Sequence, residues 1–198
     1  AAHEDGKADY SSEVGTLASA GGDAVAVIGY LDQGGKGIIQ GSLDSGAFDT
    51  FILSDGMIGD SLTDAFGKSL NKSFGSLPGS TGKGAKVFTK VAKAAGIDSS
   101  GPYTGESYDA AALIVLAMQA GGSADRASIA KNVMAVANGP GKKIYAGQLK
   151  KGLDLLAKGK AIDYEGATGV VFTDVGEHVG NFLEKEVKGG KFKTKKQR

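Results

Sequence analysis

The chemistry open to this chain is narrow. It has no cysteine and only two histidines, His3 and His178, far apart in sequence. That removes thiolate catalysis, disulfides and zinc-thiolate sites, and leaves little material for a histidine metal site or a Ser-His-Asp triad. Gly105-Glu106-Ser107-Tyr108-Asp109 begins like a nucleophile elbow, but its last position should be glycine, so a hydrolase reading on Ser107 rests on a broken motif. Gly79-Ser80-Thr81-Gly82-Lys83-Gly84 approaches a phosphate-binding loop and fails twice. Leu77 stands where the first glycine is required, and Gly84 where Ser or Thr should follow the lysine. Asn71-Lys72-Ser73 fits a glycosylation acceptor, a pattern short enough to arise often by chance.

Two loops remain. Tyr30-Leu31-Asp32-Gln33 follows one apolar run and Ser54-Asp55-Gly56-Met57 follows another. In open parallel sheets, ligands bind beyond the carboxyl ends of the strands. If the two runs are neighbouring strands, Tyr30 and Asp55 face one crevice, where a ring can cover an apolar group and a carboxylate can pair an ammonium. The same spacing also suits a Tyr30 that closes the sheet edge and an Asp55 that shapes a turn with Gly56. Spacing alone leaves both readings open.

The elements that must position these loops read as follows. Residues 11–18 form a helix with Ser11 or Ser12 at its start and Glu13 near its positive end. Residues 24–29, Ala-Val-Ala-Val-Ile-Gly, read as a strand buried on both faces and 50–53, Thr-Phe-Ile-Leu, as a second short buried strand, with a helix over 34–46 between them. Strand, helix, strand with short connections predicts a parallel sheet. Residues 54–84 are rich in glycine and read as loop with one helical turn around 62–66. Helices are expected over 86–95, 106–120, 124–137 and 148–158; the second is apolar nearly all round and therefore expected to be buried. Residues 170–172 and 182–187 read as strands, the latter turning through Lys188-Gly189-Gly190-Lys191 into a hairpin.

Composition sets the outer bounds. Lys and Arg number 23 against 22 Asp and Glu over 198 residues, a net charge of +1 that gives no reason to expect a nucleic-acid partner. The lysine-rich end, 185–198, reads as a solvated edge hairpin kept from pairing by its charges. Glycine, at 33 residues, is more than twice its usual share of about 7%, so the chain turns often. No run approaches the roughly eighteen apolar residues of a membrane span. The first seven residues lack the order of a signal peptide, so the chain is expected to be cytosolic or to have lost a leader.

Together these segments resemble a known family. Gly29-Tyr30-Leu31-Asp32-Gln33-Gly34-Gly35, Gly46-Ala47-Phe48, Leu53-Ser54-Asp55-Gly56, Pro102-Tyr103 with Ser107-Tyr108-Asp109-Ala110, and Tyr164-Glu165-Gly166-Ala167-Thr168-Gly169 with Phe172 are similar to the branched-chain amino-acid (Leu/Ile/Val-type) periplasmic substrate-binding proteins of bacterial ABC transporters. The resemblance implies an α/β fold: a parallel sheet flanked by helices, the C-terminal part of a two-lobe type I periplasmic binding protein. Residues 1–100 would hold most of the second lobe, and 101–198 the helices and closing strands that return to the first lobe and hinge. It also implies a periplasmic, non-enzymatic receptor with no cofactor and no nucleic-acid partner, which delivers an amino acid to an ABC transporter permease. The missing N-terminal half of the same protein would be a further partner. Tyr30 matches the family tyrosine that packs beside the ligand, and Asp55 the acidic residue, often Glu, that holds its ammonium group. Here the acid is one methylene shorter, which leaves direct contact and a bridging water both open. The alternative within the same fold is a ligand-sensing regulatory domain.

Overall fold

A computed structural model describes residues 1–99 and 101–198, in which packing separates two compact units. One comprises Ala1–Pro78 with Phe182–Arg198, the other Gly79–Asn181. The terminal hairpin belongs to the first unit because it pairs with β3, the strand of residues 74–78. At the passage between the units the Gly79 N–H donates to the Asn181 carbonyl at 3.0 Å.

The first unit begins with helix α1 (Ser11–Ala20), then β1 (Val25–Val27), α2 (Lys36–Ser45), β2 (Phe51–Leu53), α3 (Asp60–Phe66) and β3 (Phe74–Pro78); β6 (Phe182–Lys188) and β7 (Lys191–Gln197) complete it. Its sheet has the order β1-β2-β3-β6-β7. As the strand–helix–strand pattern predicts, β1 and β2 run parallel, in the register Val25↔Phe51 and Val27↔Leu53, and β3 joins them in parallel. The final hairpin, also expected, adds two antiparallel strands, so the sheet is mixed.

Burial departs from expectation. Val25, Val27, Phe51, Leu53, Leu77 and Val187 are buried against Val14, Ile38, Ile39 and Leu62 of the three helices. Their alternates Ala26, Ile52 and Phe74, which are register partners across three strands, are exposed. These strands are thus buried on one face, not two, because α1, α2 and α3 all contribute to the same side.

The second unit comprises α4 (Lys83–Ala94), α5 (Thr104–Gly121), α6 (Arg126–Ala137), β4 (Lys142–Tyr145), α7 (Leu149–Leu156) and β5 (Ile162–Gly166). Strands β4 and β5 pair in parallel. Ala112, Leu113, Leu116 and Ala117 of α5 pack with Val136, Ile144, Ile162 and Tyr164. Ile114 and Val115 are exposed, so α5 buries one stripe rather than its whole circumference. The expected strand over 170–172 reduces to a single bridge between Phe172 and His178.

Candidate ligand-binding loops

Level strand ends put the two loops side by side. Because Val27 and Leu53 are register partners, Tyr30 and Asp55 emerge from the carboxyl ends of adjacent parallel strands. Ser54 joins the loops. Its N–H donates to the Val27 carbonyl at 3.1 Å, and its hydroxyl both accepts from the Gly29 N–H and donates to the Gly29 carbonyl, each at 3.3 Å. A hydroxyl can serve both roles at once, which suits this position to serine. Nothing in the sequence marked Ser54 except its place between the strand and Asp55.

The Tyr30 side chain lies across the start of the second loop. A β-carbon on Gly56 would sit 2.5 Å from the Gly29 carbonyl oxygen and 2.8 Å from Tyr30 Cδ1, so only glycine lets the ring and backbone approach this closely. Tyr30 is 60% exposed, which leaves most of its ring available. Its carbonyl accepts the Gln33 and Gly35 N–H groups, which pins the loop back before α2. Asp55 opens a short 3₁₀ turn to Met57 and is half-buried. Its Oδ1 accepts the Gly56 N–H at 2.8 Å, and its carbonyl accepts the Ile58 N–H at 3.0 Å. A carboxylate accepts several hydrogen bonds, so this local bond is compatible with pairing an ammonium group. The observed geometry is that of the turn reading, with Asp55 shaping the loop through Gly56. His3 sits behind this loop: its Nε2 lies 3.2 Å from where a Gly29 β-carbon would be, and its ring meets Tyr10 edge-on at 5.9 Å.

In the second unit the resemblance segments meet at one buried carboxylate. Asp109 accepts the Tyr164 O–H at 2.8 Å, the Ala167 N–H at 2.8 and 3.0 Å, and both the N–H and O–H of Thr168 at 2.8 Å. Gly166 has φ +57°, and a β-carbon there would lie 2.1 Å from Asp109 Oδ1. Burial, and then the Asp109 charge, push the Tyr164 phenol well above its ordinary value. Ser107 is exposed within the first turn of α5 and its N–H bonds the Tyr103 carbonyl, a helical setting unlike a strand-to-helix elbow. Among the described residues no cluster of His, Asp or Glu could hold a metal, and no helix is long and apolar enough to cross a membrane.

Comparison with known proteins agrees with this architecture. No protein-family model matches the chain. A segment of 70 residues, 35% of the chain, is 39% identical to the chemotactic signal transduction system substrate-binding protein BasB of Halobacterium salinarum, but spans 17% of that protein. Among solved structures, the leucine binding protein LivK of Thermotoga maritima superposes on 97% of the chain with a TM-score of 0.67 at 18% identity. A type 1 periplasmic binding protein of Bordetella pertussis does so on 96%, at 0.64 and 19%. A branched-chain amino acid ABC transporter protein of Thermus thermophilus with bound valine covers 98%, at 0.59 and 14%. The chain spans about half the length of each, 49%, 50% and 50% respectively. These matches, in the group the sequence motifs resemble, identify the fold: the chain has the α/β architecture of about half of a type I periplasmic binding protein.

Proposed function

We propose that the protein binds an amino acid with an apolar, branched-chain-type side chain and passes it to an ABC importer, without itself catalysing a reaction. The observation that carries this reading is the Tyr30 ring lying on the Gly56 backbone beside Asp55, at the carboxyl ends of two adjacent parallel strands. Asp55 holds the ligand ammonium and Tyr30 covers the neighbouring carbon skeleton. The solved proteins of this fold named for leucine or bound to valine support the ligand class. The first unit is the better part of one lobe, and the second unit belongs to the other. The groups for the ligand carboxylate lie in the half of a full-length receptor that this chain does not span, and the location is periplasmic.

Titration of L-leucine into the 198-residue chain, followed by backbone amide NMR, tests the assignment. Shifts confined to residues 29–31 and 54–57 that disappear in Asp55→Ala are expected. Shifts that persist in the variant, or that fall elsewhere, would remove these loops from the site. A second reading, in which closure around the ligand signals to a partner instead of feeding a permease, is favoured by the local likeness to the chemotactic protein BasB. A permease that co-purifies with the protein supports transport; a signalling protein that does so supports the second reading.

A further inference from the structure

The second unit carries a groove of about 510 Å³ lined by Lys83, Lys142, Lys143, Tyr145, Gln148 and Lys151, with no acidic side chain on its wall. Three of its four lysines keep an uncancelled charge. Lys83 Nζ sits 4.5 Å from the centre of the Tyr145 ring, a cation–π contact that fixes the ammonium and keeps its charge. Lys143 is neutralised by Glu165 and Asp163, whereas Lys142 and Lys151 have no acidic partner among the described residues. Gln148 accepts the Tyr145 N–H at 3.2 Å through Oε1, which leaves its NH₂ group as a donor.

Two helices also begin at this groove. Lys83 is the first residue of α4 and Lys151 the third of α7, and neither helix has an acid in its first turn. Lysines at the positive end of a helix dipole oppose it, and an anion between them relieves that repulsion. The Gly-Ser-Thr-Gly-Lys segment that fails as a nucleotide-binding loop is the approach to this same α4 start, where Gly82 N–H bonds Ser80 Oγ at 3.0 Å. Lysine binds phosphate as a point charge, and the volume suits a small phosphorylated molecule. From this convergence we propose that the groove is a binding site for a phosphate-bearing anion, separate from the Tyr30–Asp55 loops and independent of any reading of them.

Inorganic pyrophosphate titrated into the whole chain by calorimetry, with vesicles containing phosphatidic acid as a second arm, tests the proposal. Saturable binding is expected in at least one arm, which identifies the source of the phosphate. The double variant Lys83→Ala/Lys151→Ala should weaken it about tenfold or more. The control Lys193→Ala/Lys196→Ala, on exposed lysines of the terminal hairpin, should leave it unchanged, and circular dichroism checks that both variants fold. Equal losses in the two variants, non-saturable binding in both arms, or binding of an acidic peptide alone would overturn the assignment.

Discussion

The Tyr164 hydroxyl donates a 2.8 Å hydrogen bond to the Asp109 carboxylate, tying β5 to α5 across 55 positions of sequence. Asp109 is 3% exposed, and its bonds all come from neutral donors at the end of β5. Loss of a buried charge-assisted network of this kind is costly because the donors it satisfied stay buried. Asp109→Asn, which puts an NH₂ group against two N–H donors, should destabilise the second unit by about 2–4 kcal/mol, read as a lower urea midpoint. Gly166→Ala should be comparably damaging, because it forces a β-carbon against the same carboxylate at a left-handed φ.

The raised phenol of Tyr164 has a consequence in alkali. The folded state keeps its proton at a pH where the unfolded phenol, with a value of about 10, has lost it. The unfolded state then binds fewer protons, so stability is fully present below about pH 10 and falls as pH rises beyond it. Urea unfolding between pH 8 and 11 should show this slope, and Tyr164→Phe should flatten it. An unchanged slope in the variant would assign the effect to other groups.

At the candidate ligand loops, Gly56→Ala should be a sharper probe than any change to Tyr30 itself. The added methyl collides with the Gly29 carbonyl and the Tyr30 ring, so both loops must move. Leucine shifts in the chain should weaken about tenfold or more, while the helices of the second unit keep their stability. Ser54→Ala, which removes a hydroxyl bridge but adds no bulk, should weaken them only a fewfold.

Asp55 offers a test of reach. If a water spans the gap between its short side chain and the ammonium group, Asp55→Glu should bind leucine at least as well as the native chain, and Asp55→Asn should lose it. A glutamate variant as weak as the asparagine one would favour direct contact by the shorter acid.

Much of this fold was legible, and the misses have physical reasons. The strands β1 and β2 declare themselves as β-branched and apolar runs, and their pairing follows from the short helical connection. Strand β3, Phe-Gly-Ser-Leu-Pro, was hidden in a loop reading because glycine and proline interrupt it, although Phe74 and Ser76 alternate with the buried Gly75 and Leu77. In β4 only Ile144 is fully buried, and its two lysines gave no apolar signal. Strand β5 could have been found: Ile162, Tyr164 and Gly166 alternate with Asp163 and Glu165, the period of a half-buried strand. The positions of Tyr30 and Asp55 were legible from strand ends, but the bridge through Ser54 was not. It depends on register, which sequence alone does not state.

The bond between Gly79 and Asn181 joins the two places where the chain passes between its units. The stretch they bracket is thus an uninterrupted insert whose two ends are already neighbours, and ends so placed favour excision and transplantation of a domain. Residues 79–181 expressed by themselves are therefore expected to fold, a cooperative urea transition being the check. The remaining segments, 1–78 and 182–198, need a linker of only a few residues between Pro78 and Phe182, which pair across β3 and β6, to close into a self-standing companion.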